Sequence, residues 1–190
     1  DQLAAFSQTV WVSEEILRDL ADTQTPQGII AVIQKEEVGL PDFRQGKYLF
    51  LEDVQDPGNV GTMIRTADAA GFTGVIVSDK SADIYSLKTL RSMQGSHFHL
   101  PIYRMSLATF IEEAKKSNLP ILATTLSKES KDYRELSPLE NFALVMGNEG
   151  QGISSVMAES ADQLVHIGMK GRAESLNVAV AAGILMFYFS

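Results

Sequence analysis

Three polar stretches of this chain contain the residue types that could bind a ligand or carry chemistry. They run from Asp53 to Gly61, from Gly147 to Gly152 and from Gly168 to Asn177. Each follows a short apolar run that is typical of a buried strand. Ligands of open α/β sheets bind beyond the carboxyl ends of the strands. We therefore interpret the three stretches as the loops of one ligand site.

The first stretch leads into a helix that carries an arginine outside its apolar stripe. Asp56-Pro57-Gly58 is typical of a turn, and Asn59 is predicted to cap the helix that follows. At about 100° per residue, Arg65 points nearly opposite the centre of the stripe. It is either a solvated surface residue or a guanidinium that clamps a phosphate or a carboxylate. The stripe consists of Val60, Met63, Ile64 and Ala67.

The second stretch, Gly147 to Gly152, places three glycines in six residues directly after a strand. Such a loop lets backbone N–H groups approach a ligand closely. It is not a P-loop, because no Gly-Lys-Ser/Thr follows, and Ser155 stands where a dinucleotide fingerprint needs its third glycine. The other interpretation is a tight turn that places Glu149 near a helix N-terminus.

The third stretch opens the C-terminal helix. Ser175 is predicted to cap this helix, and Glu174 lies close to its positive end. Asn177 falls in the first turn of a helix that is otherwise apolar, where an unpartnered amide would be costly. Its two donors and one acceptor form hydrogen bonds either to a neighbouring loop or to the polar edge of a ligand.

Other kinds of site receive little support from the residues. His97 and His99 would share one face of a strand, but no third ligand stands nearby in sequence, so a metal site is disfavoured. No Gly-x-Ser-x-Gly nucleophile elbow is present. There are no cysteines, which excludes disulfides and thiolate metal sites and fits a reducing, cytoplasmic location.

Strands alternate with helices after residue 46, which predicts an α/β fold with a mostly parallel sheet and helices on both faces. The N-terminal part is predicted to hold a strand at 9–12, a helix at 13–20 and a strand at 29–33, followed by a linker at 34–46. The predicted later strands are 48–51, 74–77, 99–102, 121–124, 142–146 and 163–167. The predicted later helices are 59–70, 86–92, 107–116, 153–159 and 175–189.

Charge and hydropathy limit the classes of function. The net charge of −8 argues against non-specific nucleic-acid binding, although a local basic patch remains compatible with it. The longest apolar run, Val178 to Phe189, is too short to span a bilayer and is typical of a buried helix. No secretory signal opens the sequence, so we expect neither a membrane protein nor a secreted one.

Taken together, the three stretches resemble the three motifs of the SpoU/TrmH-type RNA ribose 2′-O-methyltransferases of the SPOUT superfamily. The first motif is Asn59-Val-Gly-Thr-Met-Ile-Arg65 with its continuation to Gly71, and the second is Met146-Gly-Asn-Glu-Gly150 with its continuation to Gly152. The third is Ile167-Gly-Met169 followed by Glu174-Ser-Leu-Asn177. The resemblance implies a C-terminal trefoil knot, S-adenosylmethionine as cofactor, an RNA substrate (ribosomal or transfer RNA) and a homodimer formed through the C-terminal helix.

The resemblance also implies residue roles. The catalytic set would be Arg65, Asn59, Glu149, Ser175 and Asn177. Arg65 would act as a phosphate clamp or in proton removal, either at its own site or across the dimer interface. The cofactor set would be Gly147, Ile167, Met169 and Leu176, and no metal is implied. Gly168 departs from the family, which often has proline before the methionine.

The resemblance extends to domain organisation. Residues 20–32 resemble the final helix and strand of the family's small substrate-binding domain. We therefore expect residues 1–40 to be the C-terminal remnant of that domain plus a linker, and residues 41–190 to be the methyltransferase domain. RNA affinity would then come partly from the remainder of the small domain and partly from a groove near Arg65, Arg91, Lys170 and Arg172.

Two other functions remain as alternatives. The first is a non-catalytic RNA-binding or assembly protein that kept the fold, which the complete set of motifs disfavours. The second is a dinucleotide-dependent oxidoreductase, which the broken glycine pattern disfavours.

Overall fold

The computed structural model describes residues 9–21, 23, 25–35 and 38–190. The chain divides into two units, Asp1–Glu37 and Val38–Ser190. In the first unit, helix α1 (Glu14–Leu20) confirms the predicted helix, and Ser13 caps it by accepting a 3.3 Å hydrogen bond from the Ile16 amide. Residues 22 and 24 of the N-terminal resemblance, and residues 36 and 37 of the predicted linker, lie outside the described residues.

The two strands predicted in the first unit are wrong. Residues 9–12 and 29–33 form no strand in the described part of the unit, and their apolar side chains are exposed, with Val10 at 80% and Val32 at 99%. Apolar runs become strands only where a neighbouring strand accepts their backbone hydrogen bonds. The sequence pattern alone does not show whether a neighbouring strand is present.

The second unit is built on a seven-stranded sheet in which every pair of neighbouring strands is parallel. The strand order is β3-β2-β1-β6-β4-β7-β5, which confirms the α/β prediction. The strands are β1 (Lys47–Leu51), β2 (Gly74–Val77), β3 (Ile102–Arg104), β4 (Ile121–Thr124), β5 (Lys131–Asp132), β6 (Phe142–Met146) and β7 (Gln163–His166).

Helices cover both faces of this sheet, as predicted. Alternate residues of β1 show the division: Leu49 and Leu51 belong to one core cluster, whereas Tyr48 and Phe50 belong to the other. The first cluster includes side chains of α2 (Pro57–Ala69), α3 (Leu87–Met93) and α6 (Val178–Phe189). The second includes side chains of α4 (Leu107–Lys116) and α5 (Ser155–Ser160).

Two helices begin at residues other than those predicted. Asp56, not Asn59, caps α2: its side chain accepts a 2.9 Å hydrogen bond from the Asn59 amide, and Pro57 takes the first helical position, which its fixed φ favours. Asn177, not Ser175, caps α6, so that helix starts three residues later than predicted.

The strand predicted at 99–102 is also displaced. Ser96–Phe98 form a 3₁₀ turn, and β3 starts only at Ile102. His97 and His99 therefore do not share a strand face, and His99 instead lies 3.4 Å from Asp68. The described residues contain no cluster of three or more His, Asp or Glu that could hold a metal ion, and none of their helices is long and apolar enough to cross a membrane. The trefoil knot stays a prediction from the resemblance.

Candidate active site

A cavity of about 440 Å³ lies beyond the carboxyl ends of β4, β6 and β7. This volume is in the range of small-molecule sites, and its position is the one expected for a ligand of a parallel sheet. All four residues predicted to bind the cofactor line it, together with Glu149 and Ser175 of the predicted catalytic set. The lining is Thr124, Thr125, Leu126, Met146, Gly147, Asn148, Glu149, Gly150, Gln151, Gly152, Val165, His166, Ile167, Met169, Ser175, Leu176, Val178, Ala181 and Leu185.

The loop after β6 folds back on itself at the cavity wall. The backbones of Asn148 and Gly152 exchange two hydrogen bonds of 3.0 and 2.9 Å. Gly147 lies beneath this turn, and a Cβ atom at its position would collide with the backbone of Gly152 and Ile153. The glycine is therefore required by the close approach of two backbone segments.

A hydrogen-bonded chain of side chains joins the three predicted loops. Asn59 Nδ2 donates to Glu149 Oε1 at 3.1 Å, and Asn177 Nδ2 donates to Asn59 Oδ1 at 3.1 Å. Asn177 Oδ1 in turn accepts hydrogen bonds from the amides of Ala179 and Val180 at the start of α6. The loops after β1, β6 and β7 are thus fixed relative to one another by three side chains, all of which sequence analysis placed in the catalytic set.

Glu149 is held as a carboxylate by its surroundings. Its Oε2 accepts the Gln55 amide and its Oε1 accepts the Asp56 amide, each at 3.0 Å, so it lies at the N-terminus of α2. Burial acts to raise the pKa of Glu149, but the hydrogen bonds from Gln55, Asp56 and Asn59 outweigh it and leave the pKa below its ordinary value. A carboxylate whose oxygens are engaged in this way orients loops and is a poor proton acceptor.

The other two predicted catalytic residues differ in position. Ser175 lines the cavity, and its hydroxyl makes no hydrogen bond to the described part of the chain. Arg65 is exposed on the outer face of α2, as its spacing predicted, and does not line the cavity. It makes no hydrogen bond or ion pair with any described residue, so its guanidinium is available to a ligand or to another molecule.

Sequence analysis missed several residues of this site. The segment 124–126 lines the cavity because β4 lies between β6 and β7, an order that periodicity does not reveal. Glu52, which is only 4% exposed, accepts the Ser154 amide at 3.1 Å and so ties the end of β1 to the start of α5. Asn148 donates to the Asp53 carbonyl at 2.8 Å and links the same two loops. The available signal was a polar residue directly after a predicted strand for Glu52, and one residue further on, after Gly147, for Asn148.

His166 also lines the cavity without having been predicted. Ser130 Oγ donates to the Ser127 carbonyl at 2.6 Å, which uses its only proton. The 2.9 Å contact between Ser130 Oγ and His166 Nδ1 therefore has the histidine as donor. In the neutral ring this leaves Nε2 as an acceptor.

Fold and cavity together define an α/β protein with a small-molecule site beyond the carboxyl ends of its strands. The family model described as the SpoU rRNA Methylase family matches residues 46–187. The chain belongs to this family, which confirms the family predicted from the three motifs.

Relatives and solved structures agree with this assignment. The chain is 44% identical over 181 residues to the 23S rRNA (guanosine(2553)-2′-O)-methyltransferase RlmP of Bacillus subtilis, and the match covers 95% of the chain and 72% of RlmP. An AdoMet-bound rRNA methyltransferase from Sinorhizobium meliloti is 42% identical with a TM-score of 0.72, over 75% of this chain and 54% of that one. A putative TrmH-family RNA methyltransferase from Porphyromonas gingivalis is 29% identical with a TM-score of 0.86, over 98% of this chain and 78% of that one. The chain thus spans between about half and about four fifths of these three proteins.

Proposed function

We propose that the protein transfers a methyl group from S-adenosylmethionine to a ribose 2′-hydroxyl of structured RNA, ribosomal or transfer. The observation that carries this proposal is the pair of side-chain hydrogen bonds that links Glu149 to Asn59 and Asn59 to Asn177. These bonds join all three motif loops beside one cavity. Membership of the SpoU family supports the enzyme class, the reaction and the cofactor. A non-catalytic relic would have no use for this polar network next to a preformed cavity.

The cavity suits S-adenosylmethionine in size and in chemistry. Its lining mixes apolar side chains such as Ile167 and Leu176 with the backbone of the loop that starts at Gly147. We assign cofactor binding to Gly147, Ile167, Met169 and Leu176, whose apolar groups and backbone amides would hold the cofactor. The cofactor supplies an electrophilic methyl group on a sulfonium.

The protein's own contribution is to position the RNA hydroxyl and its phosphate. A ribose 2′-hydroxyl is a weak nucleophile, so its in-line placement and the loss of its proton to solvent limit the reaction, in which the O–CH3 bond forms as the S–CH3 bond breaks and S-adenosylhomocysteine leaves. Arg65 acts as a phosphate clamp, because a guanidinium is a poor base. Glu149, Asn59 and Asn177 hold the loops, and the Ser175 hydroxyl is placed at the cavity to contact the ribose or the cofactor.

The surface of α6 supports the proposal of a homodimer. Val180, Ile184 and Phe187 are 52%, 37% and 58% exposed and recur at helical spacing, so they form one apolar stripe on a helix whose other side is buried. An apolar stripe of this kind is typical of an interface with a second copy. Since Arg65 does not line the cavity of its own chain, we propose that it serves the site of the partner.

RNA binding has to overcome the formal net charge of −8. Lys170 and Arg172 are exposed in the loop that precedes α6, close in sequence to the cavity residues Met169 and Ser175. We propose that they contact phosphates together with Arg65, and that the first unit belongs to a substrate-binding domain. The proposed reaction takes place in the cytoplasm, as the composition predicts.

The test is the transfer of an isotope-labelled methyl group to RNA. The chain, labelled S-adenosylmethionine and unmodified ribosomal or transfer RNA are incubated together, and label in the RNA is counted. We expect incorporation by the wild type and almost none by R65A, while both bind the cofactor equally, because Arg65 lies outside the cavity. Cofactor binding without transfer to either RNA would support the non-catalytic alternative.

A further inference from the structure

Residues 130–136, called the edge segment below, contain β5 and run against the wall of the cavity. Strand β5 pairs with β7, so that Lys131 lies opposite Val165 and Asp132 lies opposite His166. Ile167 and Met169, in the loop that follows β7, line the cavity. The edge segment is therefore placed to set the conformation of the cavity wall.

The Asp132 carboxylate is used both within its own turn and outside it. Its Oδ1 accepts the Arg134 amide at 3.1 Å and Arg134 Nε at 2.8 Å, and its Oδ2 accepts Arg134 Nη2 at 2.8 Å. A Cβ atom at Gly168 would lie 2.6 Å from Oδ2. The hydrogen bonds from Arg134, and to a smaller extent the amide of Gly168, keep the pKa of Asp132 far below its ordinary range.

A second turn of the same type provides a comparison. Asp42 accepts the Arg44 amide, Nε and Nη2 at 3.2, 2.7 and 2.7 Å, each within about 0.1 Å of the Asp132 turn. The Asp42 side chain is 49% exposed, whereas that of Asp132 is 13% exposed. Bonds within the turn therefore do not explain the burial of Asp132. What distinguishes Asp132 from Asp42 is that its Oδ2 lies close against the backbone of Gly168.

The edge segment is itself braced from two sides. Tyr188 of α6 donates to the Leu136 carbonyl at 3.1 Å and packs edge-on against Tyr133 at 4.8 Å. Ser130 accepts the hydrogen bond from His166 described above. These contacts hold the segment that carries Asp132 against α6 and β7.

We propose that Asp132 is a positioning residue of the methyltransferase site, which holds Gly168 so that Ile167 and Met169 keep the conformation that binds the cofactor. The proposal rests on the proposed function only in the identity of the ligand. The pair also explains why residue 168 is glycine: any side chain there would meet a carboxylate that Arg134 prevents from moving aside.

The test compares D132N with D42N in the same chain. The asparagine side chain has one acceptor oxygen, whereas the aspartate carboxylate has two. In both variants the NH2 group of the asparagine therefore faces an N–H donor of the arginine, Arg134 or Arg44. Only in D132N does the altered group also lie against Gly168. We expect S-adenosylmethionine affinity, measured by calorimetry, to fall about ten-fold in D132N and to stay unchanged in D42N, because only D132N changes a contact with the cavity wall. Turnover at saturating cofactor should change much less than KM for the cofactor.

Hydrogen exchange without any cofactor provides an independent readout. Amides of residues 166–169 should exchange faster in D132N than in the wild type and D42N. G168A should weaken cofactor binding, and D132A/G168A should be no worse than D132A, because the clash needs both groups. Equal affinity in D132N and D42N, or unchanged exchange at 166–169, would overturn the proposal. A wild type that fails to bind S-adenosylmethionine would instead contradict the proposed function, while the exchange experiment would still decide the role of Asp132.

Discussion

Asn59 and Asn177, separated by 118 positions in the chain, are joined by a 3.1 Å hydrogen bond in which Asn177 Nδ2 donates to Asn59 Oδ1. The direction of this bond is set at both ends. The donor of Asn59 faces the Glu149 carboxylate, and the acceptor of Asn177 caps α6. Each amide group therefore has only one orientation that satisfies all of its partners.

The two tasks of Asn177 can be separated by substitution. In N177D, a carboxylate oxygen still caps α6, but the donor to Asn59 is lost. We expect N177D to melt near the wild-type temperature and to lose most of its methyl transfer. N177A should also lose about 1 kcal/mol of stability, typical of a removed cap. The control is S106A, which removes the cap of α4 on the other face of the sheet. Loss of transfer in S106A, or full activity in N177D, would contradict this assignment.

The carboxylate of Glu149 should stabilise the fold in a pH-dependent way. Because its pKa is lowered in the folded state, its contribution is fully present above the ordinary value of 4.5 and is lost as the pH falls below it. E149Q should therefore melt below the wild type at neutral pH, and the gap should close at a pH well under 4.5. Thermal melts of both proteins across that range measure it. A gap that does not depend on pH would show that the carboxylate charge is irrelevant.

Two glycines of the loop after β6 should respond differently to alanine. G147A places a Cβ atom against the backbone of Gly152 and Ile153, whereas G150A places one only 3.7 Å from Asn148 Oδ1, an ordinary contact distance. We expect G147A to lose cofactor binding and G150A to retain it within about two-fold, because surface changes without strain are nearly neutral. Calorimetric titration with S-adenosylmethionine measures both. Equal affinities would mean that the loop can shift without disturbing the site.

The apolar stripe of α6 should hold the proposed dimer. F187D places a charge within the apolar stripe, and loss of an aromatic hot spot costs about 2 kcal/mol of association or more. Light scattering over a dilution series should show monomers for F187D at concentrations where the wild type is dimeric. L87D is the control, since Leu87 on α3 is similarly exposed at 51%. A wild type that is monomeric throughout would remove the dimer from the account.

Mixing two inactive variants tests whether Arg65 acts on the partner's site. R65A keeps a working cavity and G147A keeps Arg65, so a mixed dimer contains one site with both. An equal mixture that exchanges subunits should recover about a quarter of wild-type activity, since half of the dimers are mixed and each has one intact site. If Arg65 serves its own cavity, the mixture stays inactive.

Regular periodicity made much of the fold predictable. The bounds of β2, β4, β6 and α4 agree with those predicted, because these elements are buried runs or amphipathic stretches flanked by turn residues. The two-residue β5 and the displaced β3 were not predictable in the same way. Their pairing depends on the neighbouring strands β7 and β2, not on a pattern within them.

The site was predictable as three loops, but its internal contacts were not. Residue types marked Asn59, Glu149 and Asn177 as polar groups in need of partners. Which residue would cap a helix depended on the approach of loops that lie far apart in sequence. The prediction named Asn59 as the cap of α2 and Ser175 as the cap of α6, whereas the structure has Asp56 and Asn177. Asp132 gave no signal at all, because its importance arises from Gly168 across the edge of the sheet.

The most direct test of the central claim is the chemical identity of the modified nucleoside. RNA treated with the protein and isotope-labelled S-adenosylmethionine is digested to nucleosides and analysed by mass spectrometry. A site that clamps a phosphate near a ribose hydroxyl should place the labelled methyl group on the sugar, so that the label remains with the ribose fragment, and R65A should abolish this product. Label found on a base instead, or none in RNA that lacks the modification, would contradict the account.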